Sequence, residues 1–224
     1  MSCPTYPDTP RRLPPMPDER EELIETLDGL LLDARVALPE AETRGRATIC
    51  HPHPLHGGTM NNKVVTALVR AASAAGLATV RFDFRGVGES EGEHDDGDGE
   101  RLDVRAALHH ADRQVSSGLR LLAGFSFGSA MSAHVVSEGE LVDLLVLVGP
   151  PLATFAVPKP ALPRMGILVV VGDNDSFCPV PEAEAFVASY GDDPRVRLRV
   201  VEGADHFFHG QLDRLAAHVC DALG

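Results

Sequence analysis

Short apolar runs separated by helix-length segments limit what this chain can fold into more than any other feature. Residues 165–171 carry no charge at all, and residues 141–148 contain only Asp143. Runs of that density suit strands buried on both faces, which occur where helices cover each side of a parallel sheet. The surrounding order is regular: residues 77–82 read as a strand, 101–115 as a helix, 119–124 as a strand and 127–137 as a helix. A helix at 181–190, a strand at 195–201 and a helix at 209–223 complete the alternation. Upstream, strands at 22–27, 30–38 and 45–50, with a turn at Asp28-Gly29, give an antiparallel start, and a helical pattern from Asn61 stops at Gly76. The expected fold is α/β, a doubly wound, mostly parallel eight-stranded sheet whose ligands gather at the carboxyl ends of the strands. Residues 1–20, with six prolines, read as an extended arm, and residues 21–224 as one domain. The acidic stretch 89–100 reads as a surface loop.

Charge narrows the partners. Thirty-three acidic against twenty basic side chains leave a net charge of −13, which disfavours phosphate backbones and anionic lipid surfaces. No apolar run approaches the roughly 20 residues that span a bilayer, so neither nucleic acid nor membrane is an expected partner. Four dispersed cysteines without a C-x-x-C pair, and an amino terminus without an apolar signal region, point to a reducing cytoplasm. The proline-rich arm is a candidate homodimerisation element.

One motif interrupts the alternation with chemistry. Gly124-Phe125-Ser126-Phe127-Gly128 lies between an expected strand and an expected helix. A serine on so sharp a turn is strained, and small neighbours permit the close approach. The following helix start turns unpaired N–H groups toward the same place, where an oxyanion can be held. This makes Ser126 a candidate nucleophile and Phe127 N–H a candidate oxyanion donor.

A serine nucleophile needs a base, and the base needs an orienting acid. Gly172-Asp173-Asn174-Asp175 follows the strand at 165–171, and Gly203-Ala204-Asp205-His206 follows the strand at 195–201. Serine, acid and histidine thus arrive in a known chain order, each at a strand's carboxyl end. Of ten histidines, His206 has the placement of the base, with His209 its nearest rival. The imidazole must be neutral to accept a proton, so activity is expected to rise with pH.

Together these segments resemble the α/β-hydrolase superfamily. His51-Pro52-His53-Pro54-Leu55-His56-Gly57-Gly58-Thr59-Met60-Asn61-Asn62-Lys63 and Phe82-Asp83-Phe84-Arg85-Gly86-Val87-Gly88-Glu89-Ser90 resemble, more narrowly, a small lidless bacterial branch similar to the dienelactone hydrolases. The resemblance implies that the acid is the fourth residue of the G-x-x-D turn, Asp175, which leaves Asp173 and Asp205 as turn-formers. It also implies a second oxyanion donor in the loop after residue 50, either Leu55 N–H or His53 N–H. Pro52 and Pro54 have no N–H to give.

Only residues 149–164 separate two strands where larger relatives insert a lid, and five prolines there suggest an extended crossing. An open cleft favours short or soluble acyl groups, lined by His53, Leu55, Phe125, Phe127, Leu152, Phe155, Phe177 and Phe207. His51, His53 and His56 alternate between prolines without a nearby cysteine or glutamate motif, so no metal is expected. Gly86-x-Gly88 lacks the third glycine of a dinucleotide site, and no cofactor is expected. The expected activity is a serine hydrolase cleaving a small carboxylic ester, thioester or lactone through an acyl-enzyme. The alternatives are a cyclase or acyltransferase using the same three residues, or a non-catalytic binding protein of the same fold.

Overall fold

The structure is a computed structural model that describes residues 13–224. Among these residues, eight strands form one sheet: β1 (Arg20–Glu25), β2 (Leu31–Ala37), β3 (Gly45–Cys50), β4 (Leu77–Phe82), β5 (Leu119–Phe125), β6 (Leu144–Val148), β7 (Gly166–Gly172) and β8 (Val196–Val201). Their order across the sheet is β1-β2-β4-β3-β5-β6-β7-β8. The pairs β1–β2 and β2–β4 are antiparallel, and all others are parallel. Five helices cover the sheet: α1 (Lys63–Ala74), α2 (Asp98–Gln114), α3 (Phe127–Ser137), α4 (Val180–Ala188) and α5 (Leu212–Leu223).

The strand periodicity explains the two layers. On β5, Leu121, Ala123 and Phe125 join the core beneath α1 and α5, whereas Leu122 joins the core beneath α2, α3 and α4. Strand β7 divides the same way, with Ile167, Val169 and Val171 on one side and Leu168 and Val170 on the other. Every residue of β6 and β7 is buried, as continuous apolar runs in a doubly covered sheet require. On β2, by contrast, Leu32, Ala34 and Val36 are buried while Leu31, Asp33 and Arg35 are open or partly open, the period-2 signature of a strand covered on one face.

Several boundaries differ from the sequence expectation for local reasons. Helix α2 begins at Asp98, three residues early, because the buried Glu100 carboxylate accepts from Gly97 N at 2.8 Å and Asp95 N at 3.1 Å and so caps the turn. The acidic stretch is therefore not wholly a surface loop. Helix α5 begins at Leu212, three residues late, because residues 205–210 form tight turns instead. Pro54–His56 forms a 3-10 turn that was not expected.

Residues 1–12 of the expected arm lie outside the described residues. Residues 13–19 run against the domain: Leu13 N donates to Asp213 Oδ1 at 3.0 Å, and Glu19 accepts two bonds from Arg81 at 2.8 and 2.6 Å. Residues 149–164 contain no helix and form no lid. No helix among the described residues is long and apolar enough to cross a membrane.

Candidate active site

Parallel pairing brings four strand ends level. Phe125 pairs with Val148, and Gly172 with Val201, so the loops after β5, β6, β7 and β8 open on one edge of the sheet. The strand order reverses beside β3 and β5, the place where open α/β sheets leave a crevice.

Ser126 occupies the turn from β5 into α3 with φ 52° and ψ −118°, a backbone conformation that costs a non-glycine residue of order 1–3 kcal/mol. Its N–H is held by Val148 O at 2.8 Å. The two glycines around it are required by close approach. A Cβ on Gly124 would lie 2.3 Å from Gly128 O, and one on Gly128 would lie 2.5 Å from His51 O. The turn is therefore wedged between its own helix and the loop leaving β3, which holds the serine in its strained conformation.

His206 sits on the loop between β8 and α5. Its neighbour but one, Phe208, also has a positive φ of 51° and is fully buried, so an apolar anchor pins this loop to the core. His206 Nε2 lies 3.0 Å from Ser126 Oγ, and His206 Nδ1 lies 2.8 Å from Asp175 Oδ2. The other oxygen, Asp175 Oδ1, accepts from Phe177 N at 2.8 Å and Cys178 N at 2.9 Å. An ionised carboxylate only accepts, so Nδ1 carries the proton and the Nε2 lone pair faces the serine hydroxyl. Gly149 makes room for the pair: a Cβ there would stand 3.1 Å from His206 Cε1 and 3.2 Å from Asp175 Oδ2. An imidazole between a buried carboxylate and a hydroxyl is an arrangement that activates the hydroxyl for attack.

The rivals take other partners. Asp173 Oδ1 accepts from Gly203 N at 2.7 Å, tying the two loops together. Asp205 accepts from Phe207 N and His209 N and pairs with His209 Nδ1 at 2.5 Å, on the exposed side of the loop.

Of the expected oxyanion donors, Phe127 N–H opens α3, where a helix has no internal acceptor for it. Leu55 N–H already donates to His53 Nδ1 at 3.2 Å. The His53 ring packs on Phe127 with centroids 4.8 Å apart, which brings this loop against the elbow.

The expected pocket residues divide. Phe125 and Phe127 are buried at 0% and 2% exposure, so neither lines an open cleft; Phe125 packs beneath the His206 ring at 5.0 Å because it still belongs to the inward register of β5. Leu152 and Phe155 are half-buried over the α2–α4 core. Phe177 and Phe207 are exposed beside His206, and Leu55 projects into solvent.

His51 is part of the scaffold. It is fully buried, its Nδ1 lies 2.6 Å from Pro52 O, and its Nε2 accepts from Phe84 N at 2.9 Å. Asp83 accepts from Met60 N at 2.6 Å, so the loops after β3 and β4 are stitched together behind the elbow. Arg85 binds Asp103 of α2 and Asp28.

This stitch is sensitive to acid. Burial, with a contribution from neighbouring His53, lowers His51 from 6.5 to about 4. The unfolded imidazole takes up a proton near pH 6.5 while the folded one stays neutral, so this group's contribution to stability is lost as pH falls from 6.5 toward 4. The loss approaches about 3 kcal/mol. Asp83 works the other way, because burial pushes it up to about 6 and it favours the folded state as pH falls below that value. His51→Gln keeps an acceptor for Phe84 N–H and cannot titrate. Urea unfolding at pH 7 and pH 4.5 should show the stability gap between wild type and variant move in favour of the variant by about 2–3 kcal/mol at the lower pH. Parallel pH profiles would reject this account.

Comparison with known proteins agrees with this geometry. A family model described as the alpha/beta hydrolase fold matches residues 55–167. The structure of an alpha-beta serine hydrolase homologue from Coxiella burnetii is 40% identical and superposes with a TM-score of 0.80, covering 92% of this chain and 97% of that one. A Xanthomonas campestris protein described as a member of the a/b serine hydrolases without lid is 30% identical, with a TM-score of 0.81 and coverage of 99% and 96%. An uncharacterized protein of Rickettsia prowazekii is 30% identical over 203 residues, 86% of this chain and 84% of that protein. The chain belongs to the α/β-hydrolase superfamily. Its place there is in the small lidless branch, since residues 149–164 connect β6 to β7 without a helical insertion.

Proposed function

We propose that this hydrolase cleaves a small soluble carboxylic ester, thioester or lactone through an acyl-enzyme on Ser126. The observation that carries the reading is the hydrogen-bonded chain from Ser126 Oγ through His206 to Asp175, with its serine held at positive φ. His206 Nε2 takes the hydroxyl proton as Ser126 Oγ attacks the carbonyl, and Asp175 fixes the tautomer and stabilises the imidazolium. Phe127 N–H donates a hydrogen bond to the oxyanion. For the second donor the reading favours His53 N–H over Leu55 N–H, because the latter is engaged by the His53 ring. His206 then returns its proton to the leaving oxygen, or to the leaving sulfur of a thioester, and water repeats the cycle on the acyl group. The absence of a lid between β6 and β7 leaves water free to reach that acyl group, which supports hydrolysis over cyclisation or transfer.

Intact mass after incubation with a small fluorophosphonate tests the mechanism. A single adduct on the wild type, absent from Ser126→Ala, is expected. An unlabelled wild type would reject the activated serine.

A further inference from the structure

We propose that the leaving-group half of this site is an aromatic slot, formed by Phe177 and Phe207 beside the His206 imidazole, and that it selects esters of flat apolar alcohols over esters of small polar ones. The inference rests on the serine-hydrolase reading and names the alcohol which that reading leaves open.

The geometry of proton return places the leaving group. A general acid must stand within hydrogen-bond reach of the oxygen it protonates. The leaving oxygen therefore lies next to His206 Nε2, and the first carbons of the alcohol lie over the rim of the same ring. Three phenyl rings surround that imidazole, with centroids at 4.7 Å for Phe177, 5.0 Å for Phe125 and 5.2 Å for Phe207. Phe125 is fully buried and serves as the floor. Phe177 and Phe207 remain 44% and 42% exposed, so each offers apolar surface that a bound ligand can cover.

The backbone that carries these rings is anchored before any ligand arrives. Phe177 N donates to Asp175 Oδ1 at 2.8 Å, the carboxylate that orients His206. Phe207 follows His206 directly, and its N–H donates to Asp205 Oδ1 at 3.1 Å. These bonds anchor the backbone of both residues beside the acid and the base, and the rings rest against the imidazole.

The other flank of the elbow is different in kind. Across Phe127 lie the imidazoles of His53, His56 and His94, with His53 4.7 Å from His56 and 4.9 Å from His94, and His94 Nδ1 2.6 Å from the buried Glu100 carboxylate. Exposed phenyl surface is thus concentrated on the side of the proton donor. That asymmetry assigns the flat apolar moiety to the alcohol and not to the acyl group. Asp205 and His209 form a polar rim beyond Phe207, whose ring lies 5.9 Å from that of His209.

The test compares kcat/KM for benzyl acetate and 2-methoxyethyl acetate, which share an acyl group and have alcohols of similar acidity. Wild type should prefer the benzyl ester by about tenfold or more, the scale on which an apolar pocket discriminates. Phe177→Ala and Phe207→Ala should each reduce that ratio severalfold, and Phe177→Leu should retain more of it. The ratio separates the two roles, because rings that merely shield His206 from water would slow both esters alike. A wild-type ratio near one, or a ratio unchanged in either alanine variant, overturns the slot. Hydrolysis of neither ester while Ser126 still takes the fluorophosphonate also overturns it. Hydrolysis of neither without labelling overturns the hydrolase reading beneath it.

Discussion

Asp175→Asn is expected to lower kcat against a short acyl ester by about ten-thousandfold at neutral pH, and Ser126→Ala by about a millionfold. The first loss follows from which oxygen each donor uses. Phe177 N–H and Cys178 N–H both point at Asp175 Oδ1, and His206 Nδ1 points at Oδ2. An asparagine in this place satisfies the two backbone donors only with its carbonyl oxygen, which turns its NH2 toward the imidazole. Nδ1 must then accept, the ring proton moves to Nε2, and Nε2 can no longer take a proton from Ser126. The hydrogen-bond count is nearly conserved, so the variant should unfold close to the wild-type midpoint while losing activity. Steady-state rates with a matched unfolding curve check both halves. A loss below tenfold in a folded variant would mean that Asp175 does not set the tautomer.

The sequence carried much of this in local signals, and failed where partners come from distant elements. Ser126, Asp175 and His206 are each announced by a glycine turn at a strand end, because a strand that must stop and reverse needs residues without a Cβ. The eight strands were legible since burial on both faces leaves continuous apolar runs and burial on one leaves alternation. Phe125 was misplaced for a related reason. Its side chain obeys the inward register of β5 up to the last residue, while proximity to Ser126 in the chain suggested the cleft. The buried polar contacts had no local signature. Glu100 reads as one acid among many in residues 89–100, yet its carboxylate caps α2 and contacts His94. Asp103 shares the amphipathic pattern of α2, and nothing in that pattern distinguishes it from a solvent-facing residue. Glu19 likewise follows a proline-rich stretch, although it clamps Arg81 of β4 from across β2.

Asp103→Ala should cost about 3–5 kcal/mol of stability, the usual penalty for stranding one member of a buried ion pair. Asp103 is fully buried, and it accepts from Arg85 Nε at 3.0 Å, Nη2 at 2.7 Å and the Arg85 backbone N–H at 3.0 Å. The guanidinium it holds is 5% exposed and lies flush against α2, where a Cβ on Gly99 would come within 2.2 Å of Nη1. Arg85 has one further carboxylate, Asp28, whose side chain is 38% exposed and compensates the charge only partly. Without Asp103 the cation must stay buried with half its donors unmet, or pull out and disturb the loop after β4. That loop carries Phe84, whose N–H binds His51 behind the elbow, so the damage should reach the site. Asp103→Asn should be milder, because its carbonyl oxygen still serves the Arg85 backbone N–H. Removing both charges, as in Arg85→Met with Asp103→Leu, should recover part of the loss, since no ion then remains to be desolvated. Urea midpoints for the four proteins decide the matter: a double variant no more stable than Asp103→Ala would mean that the fold needs the specific bonds of this pair and not only the neutralisation of its charge.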